Sequence, residues 1–285
     1  MSMSNAPTTL VDGLVFPEGP RWHDGRLFFS DMHDRRVLAC DTNGKLELIA
    51  RVPACPSGLG WLPDGRLLVV SMEDRRLLRL DAGGLVEIAD LSTLASFHCN
   101  DMVVDGHGRA YIGNFGYDLH AGASPRPAVL ILVEPSGRAR VVAEDLLFPN
   151  GTVITPDGKT LIVGESMGMR LTAFDIAADG SLANRRTFAQ LDGAVPDGIC
   201  LDAEGAVWIA CPMTGRCLRV RAGGEVATTV SLEAGRGAFA CMLGGDDRRT
   251  LFICTARGSH PDQWIANRSG RIETLRVEVP GAGWP

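Results

Sequence analysis

What this chain lacks narrows its chemistry. None of its eight cysteines belongs to a C-x-x-C pair, the spacing on which many thiolate zinc sites and dithiol redox centres depend. Most of them lie inside apolar, strand-like runs, the setting of buried reduced thiols. No cluster of Lys or Arg interrupts a sequence whose formal charge is −6, so a phosphate backbone would find no basic stripe and nucleic acid is not an expected partner. No stretch reaches the ~18 uncharged apolar residues of a membrane span. Residues 1–9 have neither the basic start nor the apolar centre of a secretory signal, and a cytoplasmic protein without a membrane partner is expected. No serine stands in a G-x-S-x-G elbow and no cysteine has an evident histidine partner, which disfavours a covalent nucleophile. No protein partner is evident either.

Long helix-period stretches are scarce as well, and turns take their place. With 34 Gly, 16 Pro and 45% hydrophobic residues in 285, the composition points to an all-β chain. A strand, a tight turn and a second strand recur six times, at residues 21–31, 60–72, 102–115, 153–166, 199–212 and 242–256. The turn glycines Gly25, Gly65, Gly108, Gly158 and Gly205 set a period that suits four-stranded propeller blades. A third and a fourth strand follow in each unit, except that the sixth ends at residues 271–279 without a fourth. The missing strand is at the N-terminus. LVDGLVFPEG (10–19) repeats the junction VAEDLLFPNG (142–151), so residues 8–14 are expected to complete the last blade and remove its open edge. The expectation is a single-domain six-bladed β-propeller over residues 1–285.

In a propeller the first strand of each blade lines the central channel, so the residues that open these strands face one another. They read Glu18-Gly19, Ser57-Gly58, Asn100-Asp101, Asn150-Gly151, Asp197-Gly198 and Ala240-Cys241. Four of the six carry a carboxylate or an amide: Glu18, Asn100, Asn150 and Asp197. Asn-Gly and Asp-Gly are turn formers when met singly, but four in register converge on one point. Two carboxylates confined together repel unless a cation neutralises them. Ligands with oxygen only suit one hard divalent cation; calcium is expected first, with magnesium, manganese or zinc as alternatives.

The motifs E-G-P (18–20), N-D (100–101), P-N-G (149–151) and P-D-G (196–198), in this order, resemble those of the senescence marker protein, gluconolactonase and luciferin-regenerating family, over nearly the whole chain. The resemblance implies a six-bladed propeller with a divalent ion held by Glu18, Asn150 and Asp197, with Asn100 beside it. It implies lactone hydrolysis as the activity and Asp197 as both ligand and catalytic general base. One position departs. Sugar-lactone members often carry arginine two residues before the asparagine matching Asn100, and here that residue is His98.

The loops between second and third strands lie on the same face as the ligands and supply the expected pocket wall. They hold Met32 and His33, Met72 and Glu73, Phe115, Tyr117, Asp118 and His120, Met167 and Met169, Pro212 and Met213, and His260 with Trp264. From these, His98, Asn100, Phe115, Tyr117, Asp118, Met167, Met213 and Trp264 are the expected substrate contacts. A rim rich in Met and aromatics favours an apolar or aromatic lactone over a sugar lactone. Two of the loops, 114–127 and 257–267, are long enough to act as lids, whereas Asp31–Arg36 reads as a plain turn with a solvated charge run. His98 is a second candidate for the base. The alternatives are another ester or phosphotriester hydrolysis or an elimination on the same cation, a condensation of the strictosidine synthase type, and a non-enzymatic calcium-binding propeller.

Overall fold

A computed structural model describes residues 6–258 and 260–283. Its strands fall into six four-stranded antiparallel sheets. The chain begins with β1 (Thr8–Leu14) and then builds blade 1 from β2 (Pro17–His23), β3 (Arg26–Asp31), β4 (Arg36–Cys40) and β5 (Leu46–Arg51). Blade 2 has β6 (Pro56–Trp61), β7 (Leu67–Ser71), β8 (Arg76–Asp81) and β9 (Gly84–Asp90). Blade 3 has β10 (Cys99–Val104), β11 (Ala110–Asn114), β12 (Ala128–Val133) and β13 (Ala139–Leu146). Blade 4 has β14 (Pro149–Ile154), β15 (Thr160–Glu165), β16 (Arg170–Ile176) and β17 (Leu182–Gln190). Blade 5 has β18 (Ile199–Leu201), β19 (Val207–Cys211), β20 (Arg216–Val220) and β21 (Val226–Ser231). Blade 6 has β22 (Gly237–Gly244), β23 (Thr250–Ala256) and β24 (Gly270–Arg276), with a short helix α1 (Pro261–Asn267) between the last two. The inner strands β2, β6, β10, β14, β18 and β22 contact one another in that cyclic order, which closes the ring.

Local chemistry explains why the inner hairpins repeat. In five of the six turns an aspartate Oδ1 accepts the backbone N–H two residues on: Asp64 from Arg66, Asp105 from His107, Asp157 from Lys159, Asp202 from Glu204 and Asp247 from Arg249, at 2.9–3.1 Å. This bond fixes the turn without help from the rest of the fold. The sixth turn has no glycine at the equivalent place, and Arg248 takes the left-handed conformation instead, at φ +55°.

Ring closure follows the expected pairing. β1 lies antiparallel to β24 with Thr8 opposite Thr274, Thr9 opposite Glu273 and Leu14 opposite Gly270, so the last sheet runs β1-β24-β23-β22. Val11 and Leu14 point into the core that blade 6 shares with blades 1 and 5, alongside Trp208, Phe252 and Ile272. The third strand of the sixth blade stops at Arg276, short of the 279 expected.

The turn at Asp31–Arg36 is a correction. Asp31 is 0% exposed. Its Oδ1 accepts the N–H groups of Val15 (3.0 Å) and Phe16 (2.8 Å), and its Oδ2 accepts from Arg36 (2.8 Å). In blade 4 Glu165 does the same for the other copy of the junction, taking the Leu147 N–H at 2.8 Å and two bonds from Arg170. The turn that reads as solvated thus supplies the clamp on one F-P-x-G junction and Glu165 the clamp on the other, because backbone donors there have no strand partner and need an acceptor. Among the described residues no helix is long and apolar enough to cross a membrane.

Candidate active site and metal centre

The floor of the site is built by irregular strand openings. Pairing registers shift between Glu18 and Arg21, between Pro56 and Leu59, between Cys99 and Met102, and between Pro149 and Thr152. Such a bulge bends the strand and re-aims its side chains, and Glu18, Asn100 and Asn150 each sit inside one. Asp197 lies just before β18, where its N–H donates to Ala210 O (2.9 Å) and its carbonyl accepts from Gly151 N (3.1 Å). The glycines that follow are there for closeness rather than for turning. A Cβ on Gly151 would stand 2.4 Å from Ile199 N, and one on Gly198 would stand 2.4 Å from Ala240 Cβ. Neighbouring inner strands therefore approach to a distance that no side chain permits.

Burial raises the pKa of both carboxylates. For Glu18 desolvation is the largest cause, opposed by the Gly19 N–H at 2.8 Å, with the negative charge of Asp101 adding to the rise and Arg21 opposing it. For Asp197 desolvation again leads, followed by the charge of Glu18, against a hydrogen bond from Asn150. The nearby Asp101 has a cation of its own, Arg21, at 2.8 Å. Among the described residues neither Glu18 nor Asp197 forms an ion pair, and the charge of Glu18 pushes Asp197 toward the protonated form.

The amides complete a donor set. Asn150 donates its nitrogen to Ser166 Oγ at 3.3 Å and Asn100 donates to Pro149 O at 3.4 Å, which leaves their oxygens as the free ends. Among the described residues no group of three or more His, Cys, Asp or Glu is arranged to hold a metal. Two carboxylates with two amide oxygens nevertheless fit a hard divalent cation, since the charge left uncompensated at Glu18 and Asp197 matches it.

Above these residues opens a cavity of about 1000 Å³. The repeat also sets its wall. The residue two places before each of the first five openings, namely Phe16, Cys55, His98, Phe148 and Val195, lines the cavity. Four of them accept an N–H from the segment that ends the second strand: Phe16 from Met32, Cys55 from Met72, His98 from Phe115 and Phe148 from Ser166. His98, Asn100, Phe115, Asp118, Met167, Met213 and Trp264 all lie on the wall. Tyr117 does not. Its ring packs edge-on behind Phe148 at 6.1 Å in the aromatic core, so the expectation of a substrate contact there is corrected. Met169 and His260 are likewise off the wall.

Phe16, Phe97, Phe148, Arg236 and Phe239 are wall residues that the sequence reading missed. For Phe16 and Phe148 a signal existed, since both precede the proline of the repeated F-P-x-G junction. Phe16 stacks on Trp264 at 3.9 Å and meets Phe239 edge-on at 4.6 Å, while His98 stacks on Phe97 at 4.0 Å. His33, also on the wall, has its pKa lowered to about 4, by burial first and by His120 second. It is neutral at physiological pH.

Comparison with known proteins agrees with this architecture. Residues 16–257 match the family described as SMP-30/Gluconolactonase/LRE-like region. The chain is 31% identical to the 6-deoxy-6-sulfogluconolactonase of Pseudomonas putida across 65% of its own length and 64% of that protein, so it spans less than two thirds of this relative. A solved luciferin-regenerating enzyme shares the fold at a TM-score of 0.81 and 18% identity, covering 98% of both chains. A calcium-binding protein, regucalcin, from Agrobacterium tumefaciens does so at a TM-score of 0.79 and 21% identity, covering 99% of this chain and 95% of that one. Because the family match runs from the residue that opens the cavity wall through the whole ring to the sixth blade, the chain belongs to the SMP-30/Gluconolactonase/LRE-like family.

Proposed function

We propose that this protein is a lactone hydrolase that holds one divalent cation, calcium first, by oxygen atoms of Glu18, Asn150 and Asp197 beside Asn100. One observation carries the reading: two half-buried carboxylates, Glu18 and Asp197, and two buried amides, Asn100 and Asn150, line one large, aromatic-walled cavity. When bound, the cation supplies polarisation of the lactone carbonyl and compensation of the charge that develops on its oxygen. The residues of the chain do the rest. Asp197 takes a proton from the attacking water as the new C–O bond forms. The ring C–O bond then breaks, and Asp197 returns the proton to the departing ring oxygen, so the product is a hydroxy acid. Burial suits Asp197 to this exchange, because a carboxylate whose pKa is raised is a stronger base. Asn100 and Asn150 orient the water and the ring.

The substrate is an apolar or aromatic lactone. Phe16, Phe148, Phe239 and Trp264 offer ring faces and edges to a flat apolar ligand, and His98 stands where the resemblance places an arginine for sugar hydroxyls. His98 itself is half-buried, its pKa lowered by burial first, and serves as a wall residue. The test is steady-state hydrolysis of dihydrocoumarin and gluconolactone, in EDTA and with calcium restored. Higher kcat/KM for dihydrocoumarin, dependent on the cation, is expected. Preference for gluconolactone overturns the substrate class, and full activity in EDTA overturns the cation.

A further inference from the structure

Three residues beyond Glu18 along β2, deeper in the channel, Arg21 is 4% exposed. Its guanidinium bridges blade 1 and blade 3. Nη2 donates to Asp101 Oδ1 at 2.8 Å and to the carbonyl of Met102, both on β10 of blade 3, while Nη1 donates to Pro20 O at 2.8 Å. Blade 2 gives way at this level, since a Cβ on Gly58 would stand 2.4 Å from Met102 N and 3.0 Å from the Asp101 Cα. Asp101, 5% exposed, immediately follows Asn100 and also accepts the Met102 N–H at 2.8 Å.

The channel floor thus holds three carboxylates, those of Glu18, Asp101 and Asp197, and one of them is pinned. We propose that Arg21 is a positioning residue that keeps Asp101 out of the cation's ligand set and cancels its charge, leaving the two negative charges of Glu18 and Asp197 to match a single divalent ion. This rests on the cation site proposed above. A buried arginine that served packing alone would have no need to span from blade 1 to a carboxylate on blade 3. A fixed guanidinium beside a cation site also opposes the binding it adjoins, so its presence there is accounted for by the charge it neutralises.

Removing the Arg21 guanidinium should therefore tighten calcium binding. Calcium titration by calorimetry would compare the native protein with Arg21→Met, Asp101→Asn and the double variant, folding being monitored by circular dichroism. Arg21→Met leaves three carboxylates and should bind calcium about tenfold or more tightly. Asp101→Asn leaves Arg21 uncompensated and should bind about tenfold more weakly. The double variant restores the balance and should return to the native affinity. If Arg21→Met does not fold without calcium, folding on its addition reads the same gain, and the Asp101→Asn arm decides. Unchanged or weaker binding by a folded Arg21→Met, or unchanged binding by Asp101→Asn, overturns the inference while the cation site stands. A native protein that binds neither calcium, magnesium nor manganese removes the cation site and this inference with it.

Discussion

The imidazole rings of His120 and His260 lie 5.5 Å apart, although their loops spring from blades 3 and 6, on opposite sides of the ring. His120 also meets Trp264 edge-on at 6.2 Å. The two long loops therefore meet and roof the cavity between them. α1 is held in this roof by its own chemistry: the His260 ring accepts the Asp262 N–H at 3.3 Å, and Arg268 reaches Asp34 of blade 1 at 2.8 Å.

Trp264→Ala removes the ring that closes the roof onto Phe16. An aromatic contact of this kind contributes about 1 kcal/mol beyond its area, and with the loss of buried surface KM for dihydrocoumarin should rise about tenfold or more. Because Trp264 lies far from the water and the proton it gives up, kcat should fall less than KM rises. Steady-state kinetics distinguishes the two, and an unchanged KM would place the substrate elsewhere.

Asp197→Asn keeps an oxygen at the floor but removes a charge and the base. The turnover number should drop at least about 100-fold, the usual contribution of general-base catalysis. The cation-free fold should be no less stable, since Glu18 loses a buried like charge beside it. Calorimetric melting in EDTA and single-substrate kinetics check both halves.

The same pair dictates a pH dependence. Folding raises the pKa of Glu18 and of Asp197, so over the interval above their ordinary values the fold holds protons that the unfolded chain has released. Stability must then decrease as pH climbs through that interval. From about pH 7 to 8 ordinary histidines are neutral in both states and do not mask the slope. The melting temperature in EDTA should fall across this window, and saturating calcium should flatten it. Parallel curves with and without calcium would contradict the assignment.

Deleting residues 1–14 opens the sixth blade. Val11 and Leu14 each contribute about 1.5–3 kcal/mol by burial, out of a total of about 5–15 kcal/mol for an ordinary fold. A loss of that size should lower the melting temperature by about 10 °C or more. Differential scanning calorimetry of the truncated chain would show it.

The ring and its closure were legible in sequence because both rest on local signals that repeat: a turn with its glycine, a strand on either side of it, and a junction present twice. The residues that open the inner strands were legible for the same reason, since register alone places them at equivalent positions of six blades. What register does not reveal is which neighbour a charged side chain chooses. Asp31 read as solvated because its partners, the N–H groups of Val15 and Phe16, carry no signature of their own. Tyr117 read as a wall residue because Phe115 is one and Tyr117 has the same alternation, but the loop leaves the sheet at Gly116, whose φ of +80° breaks that alternation. Arg236 and Phe239 lie in the sixth unit, where the motif is most degraded, and nothing in their neighbours marked them.

The pairing of β1 with β24 imposes an order of events on synthesis. The ribosome makes β1 before every other strand of the ring and β24 after them, so until β24 emerges Val11 and Leu14 have nowhere to go. Blades 1 to 5 each consist of consecutive strands and are free to form as they emerge. The sixth waits for β1 to return, and this late step, slow as pairings between distant residues are, closes the ring.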